Sequence, residues 1–100
     1  MHGPCERGHW STGGALQPSH QFLNAGGRYR VSSAFTDFDG DVHAPGEEWI
    51  FLGASFLPHE DGLSLFVSLD GVREWQMRMQ WRPEAQGQVL DALAAYLAPA

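Results

Sequence analysis

The clearest pattern in the chain is the alternation of apolar and polar residues after Gly27, where the two-residue period of a strand begins. Tyr29, Val31 and Phe35 fall on one face and Arg28, Arg30 and Ser32 on the other, which predicts a first strand. Trp49 to Leu57 is apolar at nearly every position, as expected of a central strand covered on both sides, and Gly53 marks a bend or bulge within it. Leu63, Leu65, Val67 and Leu69 against Ser64, Phe66 and Ser68 predict a third strand. Asp70-Gly71 reads as a hairpin turn, because both central positions of a type I′ turn need positive φ. The fourth strand alternates most strictly, with Trp75, Met77, Met79 and Trp81 set toward the core and Glu74, Gln76, Arg78, Gln80 and Arg82 toward water.

Pro83 ends that strand and suits the first position of a helix, where its missing N–H costs nothing. Val89, Leu90, Leu93 and Leu97 then recur at helical spacing, so one C-terminal helix lays its apolar stripe on the sheet, although Gly87 costs it about 1 kcal/mol relative to alanine. Asp37 to Glu48 and Pro58 to Gly62 are dense in turn-forming residues and read as loops. The fold class is mainly β (α+β): a small antiparallel meander of about four or five strands with one C-terminal helix, in its favoured version an SH3-like barrel. Residues 1–26 show no period and are rich in Gly, Pro, Ser, Gln and His. They read as a disordered tail, with Phe22 and Leu23 suited to docking, and residues 27–98 as a single β-rich domain.

Charge narrows the partners. Lys+Arg number 6 against 12 Asp+Glu, for a formal net charge of -6, and all the basic residues are arginine. Nucleic-acid binding draws its affinity from basic patches, so it is not expected, and an acidic membrane surface would repel the chain. No apolar run approaches the ~20 residues that cross a bilayer and no secretion signal opens the chain. The single Cys5 suits a reducing compartment, and the expected location is the cytoplasm.

The candidate chemistry lies in two loops. Asp37, Asp39, Asp41 and Glu48 have the spacing of ligands one, three, five and twelve of a calcium-binding EF-hand loop, but Val42 stands where that loop needs glycine and the flanks are strands. The plainer reading is a solvated acidic turn that is free of metal. His43 and His59, the latter beside Glu60 and Asp61, are ligand and general-base types, yet a meander puts their loops at opposite ends of a strand. Trp49 and Trp81, near strand ends, are placed to line a groove, with Arg78 and Arg82 as charged contacts.

Several short stretches in order carry a family resemblance: Tyr29-Arg30-Val31, the loop from Phe35 to Gly40, His43 to Gly53, Phe56 to Leu63, and Gln80 to Gly87. Together they resemble a small bacterial family, domain of unknown function 3601, over about Gly27 to Leu97. The resemblance implies a domain type and brings no activity, cofactor or catalytic residue with it. The function expected is a non-catalytic module that binds a protein or peptide, a basic partner at the acidic loop or a second copy in a homodimer, with no cofactor. Its binding residues are Asp37, Asp39, Asp41, His43, His59, Glu60, Asp61, Trp49, Trp81 and Arg82. The alternative is a small metal-dependent or hydrolytic enzyme built on His43, His59 and their neighbouring carboxylates.

Overall fold

The computed structural model describes residues 1–100. Its strands in chain order are β1 (His2–Cys5), β2 (Ser19–His20), β3 (Leu23–Asn24), β4 (Arg28–Val31), β5 (Phe35–Thr36), β6 (Val42–His43), β7 (Glu48–Leu57), β8 (Gly62–Ser68), β9 (Glu74–Gln80) and β10 (Leu97–Pro99). One α-helix, α1 (Gly87–Asp91), precedes the last strand. A six-stranded sheet runs in the order β1-β9-β8-β7-β4-β10, and β2-β3 and β5-β6 form separate two-stranded ribbons. Every pairing is antiparallel.

The mainly β class and the antiparallel meander stand, but the sheet stays open and no SH3-like barrel closes. Its two ends, β1 and β10, are short and carry Pro4 and Pro99, each of which withholds a ladder donor. One face holds the core, where Trp49, Phe51, Leu65, Met77 and Leu90 are all wholly buried. The alternation after Gly27 is legible there: Tyr29 and Val31 on β4, Leu63, Leu65 and Val67 on β8, and Met77 and Met79 on β9 point inward. Gly53 forms the expected bulge, since Phe51 faces Val67 and Gly53 faces Phe66, leaving Leu52 unopposed. A Cβ at Gly53 would lie 2.8 Å from Leu16 Cβ, so the bulge also lets the N-terminal chain approach. Gln17 uses that approach to exchange two backbone hydrogen bonds with Ala54, at 2.8 and 2.9 Å.

Three expectations are corrected. Residues 1–26 are not a disordered tail: β1 lengthens the sheet beside β9, and Leu23 is part of the core. The reason is tertiary, because the Gly8 and Trp10 amides donate to Glu74, and Gln17 pairs with Ala54. Tyr29 Oη accepts the Asn24 amide at 2.7 Å and donates to the Phe22 carbonyl at 3.2 Å, tying the end of the aperiodic segment to β4. The C-terminal helix is also shorter than its apolar period predicts. It stops at Asp91, Ala92 adopts φ −125° and ψ 41°, a 3-10 turn follows over Leu93–Ala95, and Leu97 pairs with Val31 in β10. Leu90, Leu93 and Leu97 all reach the core, so their spacing reports burial truly while only one of them is α-helical.

The third correction concerns the faces of the sheet. Glu74, expected in water, is 0% exposed, and Phe66, on the polar side of its alternation, is buried under Trp10 with ring centroids 5.4 Å apart. Trp75 and Trp81, expected in the core, are only half-buried. The β8-β9 hairpin forms, but with a wider loop than a two-residue turn. In it the Asp70 carboxylate accepts the amides of Val72 and Arg73, each at 2.8 Å, and the Arg73 guanidinium.

Candidate functional site

The acidic loop folds back on itself and on the sheet. Asp37 is buried, and its Oδ1 accepts the amides of Asp39 and Asp41, both at 3.0 Å, which shapes the turn between β5 and β6. Its Oδ2 lies 2.8 Å from His43 Nε2, while His43 Nδ1 lies 2.7 Å from Glu47 Oε2. The imidazole is 1% exposed and stacks on Phe35 at 4.9 Å. Burial works against a charged ring, but hydrogen bonds and charge from Glu47 and Asp37 outweigh it and raise the His43 pKa above its ordinary value. Trp49 Nε1 donates to the same Glu47 oxygen at 3.3 Å, and Trp49 is wholly buried.

Asp37, His43 and Trp49 therefore leave the set of surface contacts. They hold the loop together, with every polar position on the imidazole already taken by protein. Asp39 pairs with Arg78, whose hydrogen bond lowers its pKa below the usual carboxylate range, and Asp41 takes the amine of Met1. The acidic loop thus finds its positive partners across the sheet. His43 and His59 are not brought together: His43 is interior, whereas His59 is exposed and 3.7 Å from Glu60 on the surface. No group of three or more His, Cys, Asp or Glu side chains is arranged to hold a metal ion.

Of the remaining candidates, His59, Glu60 and Arg82 converge on one groove and Trp81 does not. On the outer face of β8 and β9, an open groove of about 440 Å³ is floored by Ser64, Gln76, Arg78 and Gln80. Phe38 from the acidic turn, Leu57 at the end of β7, His59 and Glu60 from the β7-β8 turn, and Arg82 line it as well. The Phe38 amide donates to the Arg78 carbonyl at 2.8 Å, which docks the acidic turn on the strand. Its ring then sits 5.4 Å from the Arg78 guanidinium. Arg82 Nε donates to Asp61 at 3.0 Å, so the turn and the strand end are joined.

Of the residues picked from sequence, His59, Glu60 and Arg82 line this groove and Asp61 supports it. Trp81 lies at the strand end, donating to Asp91 at 2.8 Å and packing edge-on against Phe56. Phe38 and Leu57 were missed. The available signal was a lone phenylalanine in an acidic turn and a leucine at the end of an apolar strand, both of which are 48% exposed.

Fold and site together define a small, mainly β domain with an open antiparallel sheet and a groove on the sheet's outer face. A family model described as Domain of unknown function (DUF3601) matches residues 17–98, and the chain belongs to that family. Its structure is similar to that of an integron cassette protein, VCH_CASS4, from the mobile metagenome of Vibrio cholerae, with a TM-score of 0.81 and 35% identity. That likeness covers 85% of this chain and 93% of the Vibrio chain. No curated protein matches the sequence.

Proposed function

We propose that this domain is a non-catalytic protein-binding module that holds an extended segment of a partner in the groove over β8 and β9. The observation that carries this reading is the pairing of exposed Phe38 and Leu57 with the guanidinium groups of Arg78 and Arg82 in one concave surface. Aromatic side chains and arginine are the types that dominate docking energy, and a groove flanked by them can bury apolar side chains while offering N–H donors. Arg82 uses only Nε toward Asp61, which leaves its terminal nitrogens for carbonyl or carboxylate oxygens of the partner. A basic partner is less well matched, because Asp37, Asp39 and Asp41 already hold internal positive groups.

A bacterial source is supported by the Vibrio relative, and the single cysteine suits a reducing cytoplasm, where we place the module. Photo-crosslinking tests the groove. A benzophenone amino acid at Phe38 should give a discrete crosslinked partner in cells, whereas the same probe at exposed Val72, in the β8-β9 loop, should not. Arg82→Ala should remove the crosslinked species. Equal products from both positions, or none from Phe38, would refute the groove.

A further inference from the structure

The β9 edge poses a separate question. Glu74 is a wholly buried carboxylate in the middle of the family unit, yet each of its hydrogen bonds comes from outside that unit. Its Oε2 accepts the Gly8 amide at 2.8 Å and the Ser11 hydroxyl, and its Oε1 accepts the Trp10 and Ser11 amides at 2.9 and 3.2 Å. Around it, β1 pairs with β9 so that His2 faces Gln76 and Cys5 faces Glu74, with an irregular register between them. Trp10 covers Phe66. A side chain at Gly3 would put its Cβ 2.7 Å from the Glu74 carbonyl oxygen, so backbone lies tight on backbone there.

We infer that the edge of β9, with the Glu74 carboxylate and the Phe66 ring, is a strand-acceptor site, and that residues 2–11 occupy it as a resident peptide ligand. The physical reason is the distribution of partners. A carboxylate this buried is stable only when donors surround it, and here all of them arrive on one continuous segment that precedes the family unit. Without that segment the domain presents an unpaired strand edge, a bare aromatic ring and an anion with no donors. Strand addition supplies backbone hydrogen bonds, and the flanking pockets select side chains. The ligand that fits is therefore an extended peptide ending in a tight turn, with an aromatic residue immediately before a hydroxyl residue, as in Trp10-Ser11.

The link between strap and domain makes the test practicable. Thr12 to Ala15 is exposed, and nothing lies within 4 Å of a Cβ position at Gly13 or Gly14. A protease site inserted between these glycines in the full chain, once cut, leaves the strap held only by non-covalent contacts. Gel filtration should then show it retained at high concentration and released on dilution. A fluorescent synthetic peptide of residues 1–11 should replace it saturably. Peptide carrying Trp10→Ala, or a chain carrying Glu74→Gln, should bind at least ~10-fold more weakly, the loss expected for charge-assisted hydrogen bonds or a buried aromatic contact. Arg82→Ala should leave exchange unchanged, which separates this site from the groove over β8 and β9. Unfolding of the cut chain, a strap that never exchanges, or a domain that stays folded and ignores the peptide would each overturn the proposal.

Discussion

The buried His43 makes a pH prediction that follows from geometry. Its ring lies between Asp37 and Glu47, and their hydrogen bonds and charge overcome the burial penalty, raising its pKa in the folded state. In the unfolded chain the same ring titrates near 6.5. The folded protein therefore holds this proton more tightly, and the stabilisation is complete below about pH 6.5 and is lost as pH rises through the folded value. Between the two pKa values the slope approaches about 1.4 kcal/mol per pH unit. His43→Gln removes the charge, leaves buried Asp37 with the amides of Asp39 and Asp41 and the Met1 amine 3.8 Å away, and should cost roughly 3 to 5 kcal/mol at pH 6. Urea unfolding of both proteins from pH 5.5 to 9.5 measures the difference, which should shrink as pH rises. His20, whose pKa is lowered by burial, titrates in both proteins and so cancels in the comparison. Parallel pH profiles for the two proteins, or an NMR titration that puts His43 at or below 6.5, would refute the reasoning.

Other substitutions test the corrected parts of the fold. Asp39→Asn breaks the pair with Arg78 and should destabilise by up to about 1 kcal/mol in urea melts, whereas an unpartnered acidic loop would gain stability from the same change. Glu74→Ala should cost about 1 to 3 kcal/mol by stranding the Gly8, Trp10 and Ser11 amides, with faster amide exchange confined at first to residues 2–11. Gly87→Ala would add roughly 1 kcal/mol to an exposed helix, but here its Cβ would lie 2.7 Å from the Arg82 carbonyl oxygen, so a lower melting temperature is expected.

The local period of the chain determined a good deal by itself. Alternation located β4, β8 and β9 and the inward side of Met77, Met79, Leu65 and Val67, because a strand places successive side chains on opposite faces whatever surrounds it, and an unbroken apolar run located β7. Gly53 announced its bulge, and the family resemblance marked the same domain that the family model matches. Within the candidate site, the turn His59-Glu60-Asp61 and Arg82 were legible as polar groups at strand ends.

Only the tertiary structure decided which polar groups stay in water. Asp37, His43 and Glu74 look alike in sequence to exposed residues, and each is buried because partners 2 to 66 positions away supply its hydrogen bonds. The same holds for residues 1–26, which lack a period because they follow surfaces made by other strands and build no repeating face of their own. Phe38 could not be assigned from its neighbours in the chain, since its role depends on Arg78, which stands opposite it only after β9 has formed. Periodicity reports what a segment does alone, while long-range hydrogen bonds and charge pairs exist only once the sheet has brought distant segments together.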